Sequence, residues 1–541
     1  MTNPNASENF SRSTRPADRI FPIDLDAMRT EAGWFETPRW PCSVAEVAEL
    51  QRIWWQAVLD FVLESGPGIE RDAVILGVTA IIARTVSLAE IAFALECAEA
   101  AGMDLVGGPP ETDYLRGNWT GSSIPQDNEP DTKRIVAARH PLIRSILSTH
   151  RFAPTWKILY RLAAHQGKVI AHNDLLFPMA RASGIPMVFD DAGAMFNKIR
   201  QTYSSNPAKD QAGELAQALT DRMVNATTIG DPYRTRLNNL VHARLSRILQ
   251  VTLGDMQATQ QAKLPDLIWG STGSQYAARA IAIEILNRGG ETRFFTHAGT
   301  ASMVHKPLTL ALGELAVSST FVMETQTAAA HEEMTEACQI IAPLHKTNIV
   351  GADGNKAFLN LPLKRQSSPR KRPKVVYVGT PSRGTSGNGS KGLPEVIFLD
   401  WQFRLVRFLN TLPIDLICKP HPGGYFSGQQ HPIEKFAATD YGRFEALMEQ
   451  TDVFIFDGCM TTTIWEALCT DRRLVFFDLG AYRFHKAADA MFKRRTSIIK
   501  ATYDDGNRPH FDPEVAKAAI LDNSAIDPSE FQRALIGDAA K

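Results

Sequence analysis

Excess charge of either sign is missing: Lys+Arg 58 stand against Asp+Glu 59, a net charge of -1. No global basic field is there to hold nucleic acid, although local patches remain. Glycine and proline are sparse, 36 and 31 of 541 residues, which excludes collagen-like and low-complexity chains. The six cysteines (Cys42, Cys97, Cys338, Cys418, Cys459, Cys469) include no pair at two-residue spacing. That excludes a zinc knuckle and a CxxC redox motif; in apolar surroundings they read as reduced, buried residues of a cytosolic protein. The opening stretch, MTNPNASENFSRSTRPADR, has no apolar core of the signal-peptide kind. Apolar runs such as 73–82 fall far short of the roughly 18 residues that span a bilayer. The expectation is a cytoplasmic protein whose membrane contact is peripheral. What is present is ordinary globular material, 44% hydrophobic and 22% charged, enough for about three domains of the usual size.

Along the chain, the first 70 residues are irregular and then helical. Trp34, Trp40, Trp54 and Trp55 fall there, and 44–64 has helical spacing of apolar residues. The tryptophans are expected to pack against a neighbouring domain. From 71 to 362 the rhythm is strand and helix in turn, with strands expected at 73–78, 103–106, 168–171, 185–189, 264–269, 292–295 and 320–323. Helices are expected at 87–101, 175–183, 275–287 and 327–340, with a helical insertion over about 208–251. Continuous apolar strands between helices imply a mostly parallel sheet covered on both faces. Residues 363–373, LKRQSSPRKRP, read as a linker whose basic cluster (Lys364, Arg365, Arg370, Lys371, Arg372) suits anionic head groups or a polyanion. A second α/β unit fills 374–541, with strands at 375–378, 414–418, 453–456 and 474–478 and helices at 396–410, 443–449 and 463–468. The ligand crevice is expected at the carboxyl ends of the strands.

Two segments carry chemistry. Ile417-Cys418-Lys419-Pro420-His421-Pro422 delivers Lys419 and His421 at the end of a buried strand, with prolines stiffening the exit. Fixed Lys and His groups beside a crevice suit a leaving phosphate, whose developing charge they offset. Asp452-Val453-Phe454-Ile455-Phe456-Asp457-Gly458 then runs into Cys459-Met460-Thr461-Thr462-Thr463, directly before Ile464-Trp465-Glu466-Ala467-Leu468. Three hydroxyls at a helix start exceed what capping requires and favour an anion. Glu466, one turn inside, can face a ribose hydroxyl. No Walker loop and no GxGxxG after the first strand is present, so ATPase and dehydrogenase readings fall away.

The Lys-Pro-His-Pro strand end, the Thr-Asp-Val-Phe-Ile-Phe-Asp-Gly strand, the hydroxyl triplet and Trp-Glu-Ala-Leu together resemble the donor domain of GT-B glycosyltransferases. The similarity is to bacterial capsule and surface-polysaccharide enzymes that transfer Kdo or related ulosonic acids from CMP-sugars. A related pattern occurs in CDP-glycerol glycerophosphotransferases, and bacterial sialyltransferases share the His-Pro element more distantly. The resemblance spans roughly 374–480. It implies two Rossmann-like domains facing a cleft, with Lys419, His421, Thr461, Thr462 and Thr463 on the donor phosphate and Glu466 on the nucleotide. Where polyol-phosphate transferases have an Asp-Tyr-Ser-Ser run, this chain has Asp457-Gly458-Cys459-Met460-Thr461, which tilts the reading towards sugar transfer.

The acceptor, a glycan or lipid-linked glycan, is then expected on the first domain. Asp174, Asp190, Asp191 and His297 stand at strand ends and are candidates for the base or nucleophile. Gly270-Ser271-Thr272-Gly273-Ser274 is a small-residue turn that suits an anion. No metal is expected in the transfer, because a lysine and a helix start serve the phosphate. The rival readings are a CDP-polyol phosphotransferase and a non-catalytic nucleotide-binding assembly protein.

Overall fold

The computed structural model describes residues 20–30, 39–125, 141–203, 209–297, 299–364, 370–384 and 393–537. Its framework is two six-stranded parallel sheets. The first holds β1 (Gly167–Val169), β2 (Met187–Phe189), β3 (Leu267–Gly270), β4 (Glu291–Phe295), β5 (Thr320–Met323) and β6 (Asn348–Gly351) in the order β2-β1-β3-β4-β5-β6. The second holds β7 (Lys374–Val378), β8 (Asp415–Cys418), β9 (Ala438–Thr439), β10 (Val453–Phe456), β11 (Arg473–Asp478) and β12 (Ser497–Lys500) in the order β9-β8-β7-β10-β11-β12. Within each sheet the strand order reverses once, between β1 and β3 and between β7 and β10, where α/β folds open a crevice. The strands are short and apolar throughout, as in Val453-Phe454-Ile455-Phe456, which is buried at every position. Helices cover both faces of such a sheet. The expected α/β architecture of two Rossmann-like domains with a helical N-terminal segment is what is observed.

One expected strand is a correction. Residues 73–78 lie inside a 32-residue helix, Ile69–Ala100, which also absorbs the helix expected at 87–101. A short all-apolar run fits a buried strand and a buried helix equally, so periodicity cannot separate them. Here the helix is apolar on most sides because Tyr233–Gln261, Val44–Glu64 and Tyr276–Asn287 pack against it, with Lys209–Asn225 closing the bundle against the first two. Gly77 lets the long helices approach closely; a Cβ there would meet Thr252 Cγ2 at 3.2 Å. Helix Ile69–Ala100 is long and apolar enough to cross a membrane, but it forms the centre of this four-helix bundle. Ser43 starts the bundle with a reciprocal cap: its hydroxyl accepts from Glu46 N at 3.2 Å, and its own N–H donates to Glu46 Oε2 at 2.7 Å. The helix expected at 327–340 is two helices, Gln326–Ala329 and Glu332–Ile341, with His331 at the N-cap of the second.

Of the tryptophans, Trp54 is buried and donates to Thr85 Oγ1 at 2.8 Å. Trp40 packs on the second domain, where its N–H donates to Gly506 O and its carbonyl accepts from Asn507 Nδ2, both at 2.8 Å. Trp34 lies outside the described residues. In the basic segment, Arg370 donates to Gln450 O at 2.9 Å and Arg372 pairs with Asp415 at 3.1 Å; Arg365 lies outside the described residues.

Among the described residues, two backbone connections join the α/β domains beside these Trp40 contacts. An antiparallel bridge pairs Val304 with Phe484. Further on, the helix Ser529–Leu535 returns to the first domain: Asn355 N–H donates to Leu535 O at 2.8 Å and Thr325 Oγ1 to Ala534 O at 2.7 Å. A shared apolar cluster, including Met303, Val304, Phe358, Trp465 and Phe531, fills the space between.

Candidate active site

Strand β8 ends at Cys418, and Lys419 continues its register by donating its N–H to Tyr377 O at 2.8 Å. The side chain that follows is 7% exposed. No described residue forms a hydrogen bond or ion pair with its ammonium. Burial pulls its pKa below the ordinary lysine value, with Asp440 and Glu445 partly offsetting. An ammonium held this way keeps its donors for a ligand. His421, exposed two residues on, has Nδ1 3.0 Å from Gly423 N and 3.1 Å from Gly423 O. The backbone therefore holds the ring in either tautomer.

Strand β10 delivers Asp457 and Gly458 across the reversal point from β7. Asp457 is buried and accepts from Thr380 N at 2.9 Å, Thr380 Oγ1 at 3.0 Å and the Tyr377 hydroxyl. Burial raises its pKa and these donors lower it. The close approach leaves no room at Gly458, where a Cβ would sit 2.3 Å from Thr380 Oγ1. Gln402 and Glu395 hold the same loop, through Thr380 O at 2.9 Å and Gly384 N at 2.7 Å.

Thr461 takes the N-cap position of helix Thr462–Leu468 in extended geometry, yet its side chain makes no capping bond. Its hydroxyl instead lies 2.9 Å from that of Thr463. Thr461, Thr462 and Thr463 line a cavity of about 530 Å³ together with Lys419 and His421. Glu466 is half-buried one turn further and does not line that cavity. Its pKa is pushed up to about 7, first by burial and then by the Glu445 carboxylate.

Tyr441 and Arg443 also line this cavity and were not legible as site residues. They sit in the connection after β9, where Arg443 reads only as the start of the helix expected at 443–449 and takes the N-cap position of Phe444–Met448. Asp457 and Thr380 were visible as residue types, but their contact joins segments 77 positions apart.

Among the first-domain candidates, His297 lines a second cavity of about 510 Å³ in the interdomain cleft, opposite Thr380, Arg383 and Tyr482. Trp55 lines it too. Asp174, Asp190 and Asp191 line neither cavity. Asp190 accepts from Lys168 Nζ at 2.7 Å; Asp191 caps helix Ala192–Thr202 through Ala194 N at 3.0 Å and pairs with Arg144 at 3.0 Å. The small-residue turn after β3 is already filled by one of the chain's own carboxyl groups. Glu314 accepts from Gly273 N at 2.6 Å and Thr272 Oγ1 at 2.5 Å. Beneath it the fully buried Arg279 donates to Ile75 O at 2.6 Å, Gly313 O at 2.8 Å and Gly273 O at 3.0 Å.

No protein-family model matches the chain, and no curated protein does. Among solved structures, Os79 from O. sativa in complex with U2F and trichothecene aligns at 12% identity and a TM-score of 0.29, covering 72% of this chain and 88% of that one. Arabidopsis thaliana UGT89C1 aligns at 11% identity and 0.30, covering 69% and 87%. Os79 with UDP and deoxynivalenol-3-glucoside aligns at 10% and 0.30, covering 70% and 90%. Overlaps this loose transfer neither a residue nor a ligand to this chain.

Proposed function

We propose that the protein is a GT-B glycosyltransferase of surface-polysaccharide synthesis. The second domain takes a CMP-linked ulosonic acid of the Kdo type, and the cleft takes a glycan or lipid-linked glycan acceptor. One observation carries this reading: a buried lysine with no hydrogen-bond or ion-pair partner among the described residues shares a cavity with His421 and three threonine hydroxyls. Such a set matches a nucleotide phosphate better than it matches a neutral ligand.

In the transfer, the bond between the anomeric carbon and the phosphate oxygen breaks, a bond from the acceptor oxygen replaces it, and negative charge grows on the leaving phosphate. Lys419 and the threonine hydroxyls offset that charge, and His421 stands at the edge to donate a proton to the leaving phosphate. His297 is the candidate base for the acceptor hydroxyl, since it lines the cleft facing the second domain. The lysine supplies charge where a metal would otherwise act, so the phosphate step uses none. The cytoplasm is the proposed site of action. Peripheral membrane contact belongs to the same reading, made by exposed Leu147, Trp156 and Tyr160 beside Lys157 and by the basic segment near 370.

Calorimetry with CMP, CDP and UDP on the wild type and on His421→Ala, without added divalent metal, tests the donor. Tight CMP binding that weakens in the variant is expected, with transfer falling by at least about 10²-fold. Preference for CDP would move the reading to polyol-phosphate transfer. Absence of nucleotide binding would overturn it.

A further inference from the structure

A cluster outside the donor cavity has ligand chemistry of its own. The bridge between the domains sets His305 and His485 side by side: His305 N–H donates to Arg483 O at 2.8 Å, and His485 N–H to Met303 O at 2.9 Å. Glu333 enters from the start of helix Glu332–Ile341. One ligand atom from each of His305, Glu333 and His485 lies within 4.8 Å of the others. The two imidazole rings meet edge to face at 5.9 Å.

The orientation of His485 is decisive. Its Nε2 lies 3.0 Å from Ala301 O; a carbonyl only accepts, so that nitrogen carries a proton. Its Nδ1 is buried, in a side chain 2% exposed, and has no hydrogen-bond partner. Glu333 Oε1 is the nearest acidic oxygen, at 3.7 Å, too far for a hydrogen bond. Leaving a polar nitrogen buried and unpaired is costly, and no described residue relieves it. A metal would, because imidazole ligands commonly give their other N–H to a backbone carbonyl. The carboxylate is held in the same way, accepting from Lys486 N at 2.7 Å.

We propose that His305, Glu333 and His485 bind a divalent transition ion of the zinc class, which clamps the two domains together. Two imidazoles and one carboxylate suit zinc rather than calcium or magnesium, which take oxygen ligands. Zinc bonds of about 2.0–2.1 Å in a tetrahedron put ligand atoms about 3.3 Å apart. The observed spacing of up to 4.8 Å therefore needs a side-chain contraction of up to about 1.5 Å, which half-buried His305 and Glu333 can supply. The cluster borders the cleft, which Glu333 and His485 both line. The inference is independent of the proposed donor, since the ion touches no residue assigned to the phosphate.

The test uses the full, untagged chain. Metal-stripped protein is titrated with Co²⁺, whose visible d–d absorption reports tetrahedral nitrogen and oxygen ligation, and bound Zn²⁺ is counted after dialysis. One ion per chain is expected, with a rise in Tm on adding Zn²⁺. His305→Gln and Glu333→Gln keep the bridge backbone and are expected to weaken Zn²⁺ binding at least about 10-fold. They should also abolish the Tm rise. Absence of the Co²⁺ bands, or unchanged Zn²⁺ affinity in both folded variants, would overturn the proposal.

Discussion

Asp457 accepts from both the N–H and the hydroxyl of Thr380, at 2.9 and 3.0 Å. The exits of β10 and β7 are thereby tied together where the strand order of the second sheet reverses. Asp457→Ala would leave the Tyr377 hydroxyl and the Thr380 N–H buried without acceptors. A loss of about 1–3 kcal/mol is expected, read by urea denaturation. Gly458→Ala acts differently, by pushing Thr380 and its loop away from the cavity. Nucleotide affinity should drop about 10-fold or more, with a smaller loss of stability than in Asp457→Ala.

Lys419→Met tests whether the buried ammonium meets a phosphate. The substitution removes charge but keeps length and apolar packing. CMP affinity should fall at least about 10-fold, the scale of one charge-assisted hydrogen bond, while cytidine affinity should change little. Equal losses for both ligands would place Lys419 away from the phosphate.

Glu466 makes stability depend on pH. Its folded pKa of about 7 stands above the ordinary 4.5, so the folded state binds more protons between those values. The contribution of Glu466 is therefore fully present below about pH 4.5 and is lost as pH rises through about 7. The shift corresponds to a contribution of up to about 3 kcal/mol. Glu466→Gln should flatten the fall of Tm between pH 5 and 8 and should be the more stable protein at pH 8. Parallel Tm profiles for the two proteins would contradict this.

Arg279 anchors the turn after β3 to helix Ile69–Ala100. Arg279→Met would orphan carbonyls at Ile75, Gly313 and Gly273 and leave Glu314 without its buried counter-charge. A cost of about 3–5 kcal/mol is expected, measured by chemical denaturation, with the larger effect on the helical bundle.

Membrane contact is checked by sedimentation with anionic vesicles. The double substitution Leu147→Ser and Trp156→Ser removes apolar side chains 66% and 78% exposed, so it should lower binding without changing Tm. Retained binding would leave the basic segment as the attachment.

Much of the second domain was legible because its strands are short, apolar and bounded by turn residues. The run 453–456 coincides with the observed strand, and Lys419, His421 and the threonines follow strand ends that periodicity locates. The first domain hid more. A helix packed on nearly all sides loses its 3.6-residue alternation, so 73–78 imitates a strand. A glycine-rich turn looks the same whether it awaits a ligand or already holds Glu314. The His305–Glu333–His485 cluster has no spacing motif at all, because backbone pairing between domains assembles it.

The bridge at Val304 and Phe484 and the returning helix Ser529–Leu535 are two separate attachments between the same pair of bodies. Together with Trp40 on Gly506 and Asn507, they fasten the two bodies at separated points. A substitution that cuts one of these ties therefore leaves the others to hold the pair.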